Sequence, residues 1–204
     1  MTTVTEAIDI GGACFVLERP AEPDSLIDED AFADDEFLPY WAERWPSGIA
    51  LAEHLATHDL RGTRVLEIGC GLGLPSLVAA RLGADVVATD WSPDAIALLE
   101  RNASRNGSRV TAVPADWRDT HAVGSLGPFD LVVAADVLYE ARNAAPILML
   151  LATLGAPATI ADPGRRHAAA FLDAVRADDW AIDTVADVWI PQGGIHRLSR
   201  VRPS

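Results

Sequence analysis

The chain has 204 residues, of which 50% are hydrophobic and 23% charged, with two cysteines and a formal net charge of −14. That length suits one domain with a sizeable core, and no apolar run is long enough to span a bilayer. The acidity excludes the cationic surface that non-specific nucleic-acid binding requires, and a neutral small molecule or a basic protein surface is the easier partner.

The opening stretch MTTVTEAIDI has neither the basic region nor the apolar region of a secretory signal. Cys14 and Cys70 are too few for a disulfide framework. A cytoplasmic location is therefore expected, with no membrane association. The oligomeric state is open, with a monomer favoured.

In chain order, two short apolar runs flank Gly11-Gly12 and predict a two-residue hairpin turn. The stretch AEPDSLIDEDAFADDEF, with acidic residues 22–36, reads as an irregular surface segment. Residues 1–39 are thus expected to form a hairpin and an acidic segment that pack on the main domain, residues 40–204. Ser47 is a plausible N-cap for a helix through GIALAEHLATH. TRVLEIG then predicts a buried strand, LPSLVAARLG a helix stopped by Gly83, and ADVVATD a second strand.

SPDAIALLERNASRNG predicts a helix with Ser92 as N-cap, Pro93 at its first position and Gly107 beyond its end. RVTAVPAD and FDLVVAADV are the next strands, NAAPILMLLATLG a helix, ATIAD a strand and RRHAAAFLDAVRAD a helix. The tail carries two β-like runs split by Pro191 and Gly193-Gly194, which predicts a final antiparallel pair. Strands alternating with helices imply an α/β fold. It is a doubly wound, Rossmann-like, mostly parallel sheet of seven strands, with its ligand at the strand ends.

The turn after the first strand of this alternation, GCGLG, decides the ligand class. Gly69, Gly71 and Gly73 are spaced G-x-G-x-G, and the third glycine of the dinucleotide fingerprint would fall on Leu74. Glu67 stands two residues before the first glycine. A pyrophosphate gains nothing from a carboxylate there, whereas an ammonium or a sulfonium does, and S-adenosylmethionine carries both. Asp90 ends the next strand, where an acid accepts from ribose hydroxyls; that position serves either ligand. Asp116 can accept from an adenine amino group, and Trp117 offers a stacking face. Each residue alone has a bland reading as a loop acid or a core ring, but three successive strand ends carry the pattern.

PYWAERWP is a cluster of aromatics before a helix, either a plug for the core or a lid over a ligand. His54 and His58 are spaced i, i+4, but no third ligand has recognisable spacing and no metal site is expected. Nucleophile-elbow, Walker and paired-cysteine zinc patterns are absent, and Cys70 reads as a small filler. Asp162 could cap the helix that follows it, with Pro163-Gly164 forming the turn. Arg165 either orders the rim or touches an acidic substrate group.

PYWAERWPSG, LEIGCGLG, ADVLYE and ADPGRRH stand in an order that resembles the seven-β-strand methyltransferases. Within them, the sequence is most similar to the lysine methyltransferases that modify the β subunit of electron-transfer flavoprotein. The resemblance covers about residues 38–167. It implies S-adenosylmethionine as cofactor, surrounded by Glu67, Gly69, Gly71, Gly73, Asp90, Trp91, Asp116, Trp117 and Ala135, with Trp45 beside its methionine end. It also implies that Asp136 and Tyr139, the D-x-x-Y motif, face a target lysine as the catalytic pair.

The implied reaction is attack of a neutral amine on the methyl carbon. A free lysine has a pKa of ~10.4, so deprotonation at neutral pH costs about 4 kcal/mol. Burial lowers that cost while a carboxylate raises it, so Asp136 is expected to capture and orient the side chain. Tyr139 is expected to offer a ring face. A small-molecule N- or O-methyltransferase and a non-catalytic cofactor-binding protein are the alternatives.

Overall fold

The computed structural model describes residues 2–26 and 39–201. Of the acidic segment, residues 27–36 lie outside the described residues.

The sheet is built around β3 (Arg64–Ile68), whose side chains are almost wholly buried. On one side it pairs in parallel with β4 (Asp85–Asp90), and β4 with β5 (Val110–Pro114). On the other side it pairs in parallel with β6 (Leu131–Ala135), and β6 with β7 (Ala158–Asp162). The last two strands, β8 (Trp180–Val185) and β9 (Gly194–Arg200), run antiparallel to each other. β9 inserts between β7 and β8, giving seven strands in the order β5-β4-β3-β6-β7-β9-β8. The expected seven-stranded, mostly parallel sheet with an antiparallel C-terminal pair is the observed one.

Alternation along the strands feeds two cores. Val65, Val86 and Val133 pack with α1 (Pro46–Ala56) and α2 (Leu74–Arg81). Leu66, Val87, Val132 and Ala134 pack on the opposite face with α5 (Ala144–Leu154) and α6 (Ala168–Ala177). The amphipathic α3 (Pro93–Arg105) starts where Ser92 Oγ accepts from the Ala95 N–H. A short helix unmarked by any apolar period, α4 (Thr120–Gly124), is capped by Asp119.

The N-terminal strands β1 (Thr3–Ile10) and β2 (Ala13–Pro20) form a separate hairpin turning at Gly11-Gly12. Both glycines have positive φ, +56° and +78°, as this turn demands. Ile10, Phe15 and Leu17 are at most 2% exposed, worth about 2 kcal/mol each as buried apolar side chains. Polar contacts dock the hairpin on α3. Asn102 and Asn106 accept from the Glu18 and Val16 N–H groups, and Glu18 pairs with Arg105 and Arg101.

Two capping expectations are corrected. Helix α1 starts at Pro46, with Trp45 at the N-cap, so Ser47 lies inside the helix. Proline's fixed φ suits the first helical position and sets the start there. Asp162 does not cap α6, whose N-cap is His167. Its Oδ1 instead accepts from the Gly164 and Arg165 N–H groups, both at 2.8 Å, and shapes the turn that presents Arg165.

The chain runs outward from β3 to β5 and then returns to β6 on the other flank of β3. This reversal opens a crevice beyond the carboxyl ends of the central strands, the usual ligand position in such sheets.

Candidate active site

The crevice is a cleft open to solvent. Its floor is the glycine turn between β3 and α2. Gly69, Gly71 and Gly73 have φ of +65°, +49° and +81°, a region that side chains disfavour. A Cβ on Gly69 would come within 2.9 Å of the Trp117 ring, and one on Gly73 within 2.1 Å of Leu99 Cδ1. At Gly71 it would meet the Trp41 carbonyl at 3.1 Å. The glycines therefore bring the backbone close to its neighbours as well as making the turn.

Two buried carboxylates stand on this floor. Glu67, 1% exposed, accepts from the Ser76 hydroxyl. Burial, reinforced by the charge of Asp90, pushes its pKa up to about 8. Asp90, 4% exposed, accepts from the Gly71 and Ser92 N–H groups, both at 3.0 Å. Burial raises it to about 6 against those two bonds. The Gly71 N–H that could have served a phosphate is spent on Asp90. Buried Cys70 has its thiol pushed well up by burial, so it is no nucleophile.

The rim is assembled from three distant segments. Asp136 follows β6 with a φ of +57° and donates its N–H to the Ala161 carbonyl at 2.9 Å. Its carboxylate is clasped at both oxygens by Arg165, Nε to Oδ1 at 2.8 Å and Nη2 to Oδ2 at 2.9 Å. The same guanidinium lies over the Trp45 ring at 5.6 Å. Trp45 donates its indole N–H to the Tyr40 carbonyl at 2.8 Å. Tyr40 packs against Tyr139 with ring centroids 5.0 Å apart. Burial raises the Tyr139 phenol to about 12, so it stays neutral and is no base near pH 7.

Trp45, Glu67, Gly69, Gly71, Gly73, Asp90, Trp91, Trp117, Ala135, Asp136 and Tyr139 all line this one cleft. Asp116 is the exception among the candidates. Its carboxylate accepts from Arg118 at the backbone N–H and at Nε, 2.8 and 2.7 Å away, and it is not part of the cleft wall. Tyr40 has a site role that local sequence does not assign, and Arg165, read from sequence as ordering the rim or touching an acidic substrate group, orders the rim through Asp136. Their signal was present, since both lie within the motifs PYWAERWP and ADPGRRH, but their partners are remote. His54 and His58 sit together, with ring centroids 4.7 Å apart. Among the described residues, no group of three or more metal-binding side chains exists, and no helix is long and apolar enough to cross a membrane.

A family model described as lysine methyltransferase matches residues 41–166. The electron transfer flavoprotein beta subunit lysine methyltransferase of Xenopus laevis is 35% identical over 135 residues, covering 62% of this chain and 53% of that protein. The histone-arginine methyltransferase METTL23 of Xenopus laevis is 28% identical over 153 residues, covering 71% and 62%. The protein-lysine methyltransferase METTL21E of Mus musculus is 38% identical over 112 residues, covering 49% and 46%. The chain thus spans about half the length of these relatives. Among solved structures, the T. thermophilus 16S rRNA N2 G1207 methyltransferase (RsmC), in complex with AdoMet and guanosine, superposes with a TM-score of 0.69. At 18% identity, covering 98% of this chain and 51% of that one, it shares the fold alone.

Proposed function

This chain belongs to the lysine methyltransferase family, and we propose that it binds S-adenosylmethionine in the cleft and methylates a lysine of a protein substrate. The observation that carries the cofactor is the acidic glycine turn. Glu67 stands where a dinucleotide would need phosphate-binding groups and is a buried acid that a cation would favour, and Asp90 takes up the Gly71 N–H that a phosphate would use. When bound, S-adenosylmethionine supplies an electrophilic methyl group on a sulfonium.

Glu67 would hold the ammonium of the cofactor, Asp90 its ribose hydroxyls, and Trp91 and Trp117 the faces of its adenine. The backbone at Gly69, Gly71, Gly73 and Ala135 gives it close approach, and Trp45 flanks the methionine end. Asp116 reaches the adenine amino group only if its carboxylate turns away from Arg118. At the rim, Asp136 offers a hydrogen-bond acceptor to the incoming amine. Tyr139 and Tyr40 offer ring faces to its aliphatic stem. The site's contribution to rate is chiefly orientation, with nitrogen and methyl held at near-attack distance.

The β subunit of electron-transfer flavoprotein is the first substrate to test, given the relative named for it. The cytoplasm is the compartment proposed, consistent with two free cysteines. Intact-mass spectrometry of that subunit from the same source, incubated with this protein and S-adenosylmethionine, should show methyl-sized steps that vanish without the cofactor. Absence of the steps, with S-adenosylhomocysteine binding confirmed by calorimetry, would remove this substrate and leave the cofactor assignment. Binding of NADH but not S-adenosylhomocysteine would remove both.

Methylation of a protein arginine is a second reading, favoured by one observation. Asp136 already seats a guanidinium at both oxygens inside the cleft, and METTL23, named a histone-arginine methyltransferase, is among the relatives. Amino-acid analysis of the labelled product separates methyl-lysine from methyl-arginine.

A further inference from the structure

Resting on the lysine reading of this site, we propose that Arg165 is a positioning residue that cancels the charge of Asp136, so that the cleft admits its target as a neutral amine. The clasp is built from both ends. Asp162, 1% exposed, accepts from the Arg165 N–H and fixes the backbone from which the side chain reaches Asp136. Trp45 covers the guanidinium from the other side. Asp136 is only 6% exposed while the Arg165 side chain remains 36% exposed, so the guanidinium reaches in from the rim to both carboxylate oxygens, and a planar fork matches a carboxylate in a way an ammonium cannot.

The pairing changes what the rim does to an entering lysine. At pH 7 a free lysine is neutral in about one molecule in a few thousand. A bare carboxylate at contact distance raises an amine's pKa by roughly 1–3 units, which lowers that fraction tenfold or more. A carboxylate already matched by a guanidinium keeps its acceptor lone pairs and loses most of that effect.

The other charged or titratable groups facing the seat do not replace it. Glu43 and Arg44 enter from the turn before α1 as an acid and a base. Glu67, raised to about 8 by burial, ionises within the range probed, and the arm with S-adenosylhomocysteine pairs it with that ligand's ammonium; Asp90 is committed to two N–H groups. The phenols of Tyr139 and Tyr40 complete the wall. With Arg165 in place, the Asp136 carboxylate meets the target already paired; without it, Asp136 faces the target unpaired.

The test needs no knowledge of the protein substrate. Binding of n-butylamine, a lysine side-chain probe, is followed by NMR from pH 7 to 10, with and without saturating S-adenosylhomocysteine. For wild type the affinity should rise about tenfold per pH unit, because only the neutral amine is held. R165Q should bind at least tenfold more tightly at pH 7 and lose the slope. R165K should retain the wild-type slope because the charge remains, and D136N/R165Q should regain it because neither charge is present.

A flat wild-type line would overturn the proposal even if R165Q fails to fold. So would an R165Q that keeps the wild-type slope, or a failure of either folded protein to bind the amine at any pH. Failure of the lysine reading is seen separately, as a wild-type enzyme that transfers methyl groups to no lysine in a lysate while the binding slopes are read regardless.

Discussion

Replacing Glu67 by glutamine should reverse part of the pH dependence of stability. Glu67 is buried against Ser76 and close to Asp90, and its pKa rises from 4.5 to about 8. A carboxyl whose folded pKa is raised keeps its proton in the native state and loses it in the unfolded chain. Between pH 4.5 and about 8 the native state therefore binds one more proton, and stability falls as pH rises, by about 1.4 kcal/mol per pH unit. The full effect is on the order of 5 kcal/mol at and above pH 8.

Glutamine keeps an oxygen to accept from Ser76 but has no proton to lose. Urea unfolding at intervals from pH 5.5 to 8.5, without ligand, measures the difference. E67Q should gain on wild type by on the order of 3 kcal/mol over that range. Asp90 titrates in both proteins, so the comparison reads Glu67 together with its coupling to Asp90. Two stability curves that stay parallel across the range would show that Glu67 is ionised in the folded protein, and the burial argument would be wrong.

The same residue sets a ligand prediction. Calorimetric affinity of wild type for S-adenosylhomocysteine should strengthen from pH 6 to 8 as Glu67 becomes able to pair with the ligand ammonium, and E67Q should bind weakly and without that slope. Gly73→Ala forces a side chain into φ +81° with its Cβ 2.1 Å from Leu99 Cδ1. It should cost about 3 kcal/mol by thermal or chemical unfolding, and an unchanged melting temperature would contradict the close approach. Asp162→Asn retains the Oδ1 acceptor and should be near neutral in stability, while Asp162→Ala strips two charge-assisted bonds and should cost about 2–3 kcal/mol in urea. Tyr139→Phe keeps the ring that packs on Tyr40 and should change kcat less than threefold, roughly the loss of one weak hydrogen bond. Tyr139→Ala removes that ring face and should raise KM more than tenfold for the methylated protein, an equal fall in kcat instead pointing to a chemical role.

The regular part of the molecule was legible because its signals are local. Alternating apolar runs marked β3 to β7, and Ser92-Pro93 with Gly107 bracketed α3. Local signals failed where two of them competed or none existed. Ser47 lost the N-cap to Trp45, since Pro46 already suits the first helical position. The helix α4 is only five residues long and has no apolar period to detect. Asp116 was assigned by its place after a strand, and what that place did not show is its pairing with Arg118, two residues on.

Sequence alone determined the order of elements, the G-x-G-x-G turn and the acids at successive strand ends, because strand period, helix caps and turn glycines depend on neighbours a few residues away. The tertiary structure decided how the cleft is equipped. Arg165 meets Asp136 across 29 residues of chain, and Tyr40 reaches Tyr139 only because the segment before α1 crosses the mouth of the sheet. The insertion of β9 between β7 and β8 is likewise a choice among sheet orders. Such pairings arise from strand order and long-range packing, which short-range patterns leave open, and they decide whether Asp136 meets its substrate as a bare anion or as one half of an ion pair.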